Sequence, residues 1–198
     1  MLNLQDVFFL QTNGSGVLSF SSPSSDFVLL ATTDASSSAS VSFDGYFSST
    51  YKNYKIIGSN ITLNTGTNNI SVRFRRSNAD ITASNYYHVA VRYYILDGGL
   101  TAVGGSGNSS SLLINENTSS ASGYNSSFTL DLYDALGTNN FKNATFQTIA
   151  FDSGADNRHH FESGGLGLTD STSALSGITF LPSANSILRG NFKLYGIK

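Results

Sequence analysis

The 198-residue chain contains no cysteine. That removes a disulfide framework, thiolate chemistry and cysteine zinc sites together. Charge is scarce as well: Asp, Glu, Lys and Arg make up 12% of the chain, about half the share of an ordinary soluble domain. With a net charge of −2 and only 11 basic residues spread along the sequence, there is no basic stripe to displace counterions from nucleic acid. No run reaches the roughly 18 apolar residues of a membrane-spanning helix. The opening MLNLQDVFFLQT lacks a basic leader and a long apolar stretch, so neither export nor membrane insertion is expected. Helical periodicity is almost missing too.

Ser, Thr, Asn and Gly supply 88 of the 198 residues, while 14 Phe and 10 Tyr supply the bulk for a core. Solubility therefore rests on neutral hydrogen-bonding groups. Alternation of period two runs through the chain. In YYHVAVRYYI (86 to 95), Tyr87, Val89, Val91, Tyr93 and Ile95 share one face, and Tyr86, His88, Ala90, Arg92 and Tyr94 share the other. NISVRFRRS (69 to 77), FTLDLYD (128 to 134), TFQTIAF (145 to 151), GITFLP (177 to 182) and NFKLYGI (191 to 197) read the same way. Turn signals such as NGSG, NTGTNN and DGG separate them.

About ten to twelve short strands with no room for crossover helices predict an all-β, antiparallel β-sandwich. A jelly roll is the first choice, since this strand number suits two Greek keys. Residues 1–198 read as one domain, with a Ser/Gly-rich exposed loop region around 104–127. Pro23 and Pro182 fall at strand margins, where a missing amide donor does least harm.

Two clusters carry groups capable of chemistry. DNRHHFESGG (156 to 165) holds two of the three histidines beside Asp156, Arg158 and Glu162. Adjacent histidines on a strand point to opposite faces, so His159 and His160 do not chelate one metal together. Arg158, His160 and Glu162 share a face and read as a polar ladder on a solvated strand. No G-x-S-x-G elbow accompanies the histidines to suggest a hydrolase. Asp131, Asp134, Asp152 and Asp156 read as acids facing water. In VRFRR, Arg73 and Arg75 lie on a polar strand face with Asp80 as a partner across the turn SNAD. The expectation is a protein that is not an enzyme and carries no metal or other cofactor. Its candidate binding or interface residues are Arg73, Arg75, Tyr86, His88, Arg92, Tyr94, Arg158, His159 and His160.

The segment FDGYFSSTYKNYKIIGSNITLNTGTNNISVRFRRSNADITASNYY (43 to 87) resembles a stretch common in virion structural proteins of tailed phages, marine ones especially. There an F-x-S-x-Y-x-N-Y-x-I pattern leads into an R-x-R strand and a SNY element. The ending GITFLPSANSILRGNFKLYGIK and the opening MLNLQDVFFLQTNGSG are similar to the same proteins; residues 100 to 165 depart most. In this reading Phe47, Tyr51 and Tyr54 cluster around a corner, with Ser48 and Asn53 bonding the local backbone. Arg189-Gly190 turns the chain into the last strand, whose Leu194 and Ile197 seal the core. The resemblance implies a homotrimer on the particle exterior, made in the host cytoplasm and contacting other virion proteins. The first choice is a tail-fibre or receptor-binding module that recognises host-surface glycan. A capsid decoration protein is the alternative, and a carbohydrate-active enzyme a remote one.

Overall fold

A computed structural model describes residues 9–12, 14–21, 25–64, 67–94, 100–103, 107–120, 123–151 and 159–198. Its elements are all strands: β1 (Phe9–Thr12), β2 (Leu18–Ser21), β3 (Phe27–Ser38), β4 (Val41–Asp44), β5 (Asn53–Leu63), β6 (Thr67–Arg76), β7 (Ala79–Asp80), β8 (Tyr86–Tyr94), β9 (Leu100–Val103), β10 (Leu112–Ser119), β11 (Ser126–Tyr133), β12 (Lys142–Phe151), β13 (His159–Leu168), β14 (Gly177–Pro182) and β15 (Ile187–Ile197). All pair antiparallel. One sheet has eight strands in the order β3-β15-β5-β11-β12-β13-β8-β9, and a second runs β10-β6-β14-β4 with β7 beside β6. β1 and β2 form a separate hairpin. The protein is an all-β antiparallel sandwich. Its two sheets hold thirteen strands, more than the eight of a simple jelly roll.

Period-two patterning sets the strand faces. Along β12 the burial alternates without a break from Lys142 to Ala150, with Ala144, Phe146 and Thr148 inward and Asn143, Thr145, Gln147 and Ile149 outward. β6 turns into β7 through Ser77 and Asn78, both in the left-handed region (φ 51° and 62°). Two consecutive residues of this kind make the tight turn whose twist matches an antiparallel pair.

The sheets meet through apolar side chains. Phe128 on β11 stacks on Phe180 of β14 with ring centroids 5.0 Å apart, and Phe192 of β15 completes the trio at 6.0 and 5.6 Å. Gly58 lets Phe128 lie flat across β5, since a Cβ there would come within 2.2 Å of that ring. The corner before β5 forms as the sequence suggests: Phe47 packs on Tyr54 at 4.2 Å and Tyr51 meets it edge-on at 6.2 Å. The Tyr54 hydroxyl accepts from Ser48 N and donates to Ser48 O. Ser48 thus contributes backbone rather than side chain, and Asn53 accepts from the distant Asp134 N.

Three expectations change. The stretch around 104–127 is not simply an exposed loop: β10 pairs with β6, and its Leu112 and Ile114 are fully buried. Arg189 and Gly190 lie within β15, where the register shifts, instead of forming a turn before it. Leu194 is buried, but Ile197 is only partly so, because it falls on the outward side of the last strand.

Removing one ring of the inter-sheet trio leaves a cavity that the facing sheets cannot close. Phe180→Ala is therefore expected to cost about 3–5 kcal/mol. Urea unfolding followed by circular dichroism checks this; an unchanged midpoint would mean that the trio does not join the sheets.

Candidate functional site

The strand register decides where the charged candidates go. Arg92 of β8 pairs with Glu162 of β13, which pairs in turn with Thr148 of β12. All three point into the sandwich. The side chains of Arg92 and Glu162 are 5% and 0% exposed, and the guanidinium donates to Oε2 from Nη2 at 2.9 Å and from Nε at 3.3 Å. Thr148 Oγ1 donates to the Ile114 carbonyl of β10 in the facing sheet. His160 lies one inward position along β13, 1% exposed, and His88 two inward positions along β8, 9% exposed. His160 and Glu162, expected in a polar ladder on a solvated face, are thus interior. A strand pattern reveals which residues share a face, but not which face meets the other sheet. These groups are largely shielded from solvent, though His88 still borders the hollow beside Gly165.

Tyr86 is interior as well, and pins the two sheets together. Its hydroxyl accepts from Phe74 N at 2.9 Å and donates to Ile81 O at 2.9 Å. Burial pushes its phenol well above the ordinary value of 10.0, against the lowering effect of the Phe74 bond. His159 faces outward, with its ring edge-on to Phe151 at 4.2 Å. Arg158, Asp152 and Asp156 lie outside the described residues, as does the side chain of Tyr94.

Arg73 and Arg75 are committed to the outer side of the five-stranded sheet. Arg75 donates to Asp44, Asp80, Thr179 Oγ1 and the Asn78 carbonyl, so one guanidinium ties β4, β6, β7 and β14 together. Arg73 donates to Ser110 O at 3.0 Å and stands 3.9 Å from Asp80. The expected partnership with Asp80 is present in both.

The outer face of the eight-stranded sheet is different. A cleft of about 430 Å³ opens there over Lys55, Thr129, Asp131, Thr145, Gln147 and Ser163. It adjoins an apolar hollow of about 240 Å³ bordered by Ile57, Ile149 and Phe161. On the other side it meets a hollow of about 460 Å³ between Tyr87, Val89, Asn143 and Gly165. Lys55 and Asp131 form an ion pair at 2.7 Å on the cleft floor, each still 25–30% exposed. Exposed rings stand around it: Tyr87, Tyr93, Tyr133 and Phe161 are 38–51% accessible. Tyr133 leans across to share a hydrogen bond with Thr145 at 2.9 Å.

Among the described residues His159 is the one binding candidate of the sequence that lies on this face; of the cleft residues the sequence singles out only Asp131, as an acid facing water. The one further readable signal of this face is the outward set Ser163, Gly165, Gly167 on β13, small where neighbouring strands are bulky. Among the described residues no three His, Asp or Glu side chains converge as a metal site. No protein-family model matches the chain, and neither a curated protein nor a solved structure is similar enough to it to count as a match.

Two outcomes follow from the interior groups. Glu162→Ala leaves a buried guanidinium without its carboxylate and is expected to cost about 3–5 kcal/mol by urea denaturation. Because the folded-state pKa of Tyr86 is raised, the unfolded chain loses its phenol proton first. The stabilising contribution is complete below pH 10 and is lost as pH rises above it, at up to about 1.4 kcal/mol per pH unit. A series of urea midpoints from pH 8 to 11.5 should slope downward, and Tyr86→Phe should flatten that slope.

Proposed function

We propose that this protein is a non-catalytic structural component on the exterior of a tailed-phage particle, where it recognises the host surface through the outer face of its eight-stranded sheet. The resemblance of residues 43 to 87 and 177 to 198 to phage virion proteins supports the setting. The observation that carries the role is the cleft over Lys55 and Asp131, with exposed rings beside it and hydroxyl and amide groups along its floor. Polar groups that fix orientation, set among apolar walls, are the usual make-up of a recognition site.

The placement of the described groups supports a role without catalysis. The histidine, carboxylate and guanidinium of His160, Glu162 and Arg92 are enclosed between sheets. Arg73 and Arg75 already hold their carboxylates.

Exposed apolar residues elsewhere suit attachment to other virion proteins. Leu10, Val17 and Leu18 of the β1–β2 hairpin are 58–64% exposed, and Phe27 and Leu29 of β3 about half so. A lone two-stranded hairpin is marginal in water, and exposed apolar residues on it suit a contact with another protein.

Immunogold labelling of intact particles with antibody to the purified protein tests this reading. Gold on the tail or its fibres, with reduced adsorption when excess free protein is added, is the expected result. Gold spread over the head would overturn it and make the protein a capsid decoration.

A further inference from the structure

We infer that the cleft on the outer face of the eight-stranded sheet binds an uncharged, extended carbohydrate chain laid across the strands. Host recognition supplies the setting for this site, and the inference names its ligand. The path crosses β5, β11, β12, β13 and β8 in turn, from Lys55 and Asp131 through Thr145 and Ser163 to Val89. At the usual spacing between strands, five strands span about 19 Å. That suits a run of several sugar rings better than a single one.

The lining chemistry selects the class. Lys55 Nζ lies 2.7 and 2.8 Å from the two Asp131 oxygens. An ammonium has three donors and a carboxylate about four acceptor sites, so the pair keeps donor and acceptor capacity side by side. A pair of adjacent sugar hydroxyls, one accepting from Lys55 and one donating to Asp131, uses both. The two charges cancel, and among the described lining residues they are the only ammonium and carboxylate. An acidic polymer would need surplus positive charge. A protein partner would favour an aromatic, charge-depleted centre with a polar rim. Here the arrangement is reversed, with a polar centre and rings such as Phe161 and Tyr87 at the sides.

Gly165 keeps the passage open. A side chain added there would meet no heavy atom within 4 Å, so packing within the chain does not call for glycine. Glycine inside a strand lowers stability and often marks close approach of a ligand. Its neighbour Gly164, which also borders the cleft, is the contrast: a Cβ there would strike the Val89 carbonyl oxygen, Phe146 and Ala90.

The test uses the purified full-length chain on an array of neutral glycans, followed by calorimetry with mannan, laminarin and alginate. Wild type should bind neutral polymer and ignore alginate. Gly165→Val should weaken binding at least tenfold with an unchanged or higher Tm. Asp131→Asn should weaken neutral binding and introduce retention on alginate, because Lys55 is then unbalanced. Hydrogen exchange of wild type with and without glycan should show protection at 145–147 and 163–165, a readout independent of any variant's folding. Absence of neutral-glycan binding across the array, preference for alginate, or undiminished binding by a folded Gly165→Val protein would each overturn the assignment. If glycan binding fails while free protein still blocks adsorption, the ligand is wrong and host recognition stands. Glycan binding combined with gold over the head would retain the ligand and remove the host-recognition role.

Discussion

The ion pair between Arg92 and Glu162 sits inside the sandwich, and the pleat of the strands makes everything outside it follow. Successive residues of a strand face opposite ways. Once Arg92, His88 and Tyr86 point inward on β8, Tyr87, Val89 and Tyr93 must point outward. Once Glu162 and His160 point inward on β13, Phe161, Ser163 and Gly165 form the outer surface. The exposed rings and the open floor of the cleft are thus the reverse side of a polar interior. A buried pair of this kind is weak support for stability but costly to break. It also holds the register of β8 against β13, since a slip of one residue would turn both charges to the wrong face.

The second sheet closes the core and carries its own polar fastening. Arg75 reaches carboxylates on β4 and β7 and a hydroxyl on β14, joining strands that are distant in sequence. The Tyr86 hydroxyl crosses from the larger sheet to the backbone of β6. Part of the limited charge in this chain is thereby used for internal ties. Among the described residues lining the cleft and its two adjoining hollows, one ammonium balances one carboxylate amid hydroxyls, amides and rings, which is the character that the proposed carbohydrate contact requires.

Glycine serves opposite purposes in different strands. Gly58 and Gly196 make room for the rings of Phe128 and Tyr51, so the fold itself demands them. Gly165 makes room for nothing in the chain, and its small size shapes a surface instead. Only the placement of neighbouring atoms separates the two kinds.

Sequence alone determined that this is an antiparallel β-protein, because period-two alternation, turn residues and the lack of helical patterning are local properties. It also paired Arg73 and Arg75 with Asp80, a partner one tight turn away, and grouped Phe47, Tyr51 and Tyr54 at one corner. Only the tertiary structure decided which face of each strand is buried. Tyr87, Val89, Val91 and Tyr93 look like a core stripe, yet they form the less buried face, since the choice depends on which side the second sheet covers. The cleft was illegible for the same reason: Lys55, Asp131, Thr145 and Ser163 come from four strands spread over more than a hundred residues. Their meeting is set by long-range strand order, on which local patterning carries no information.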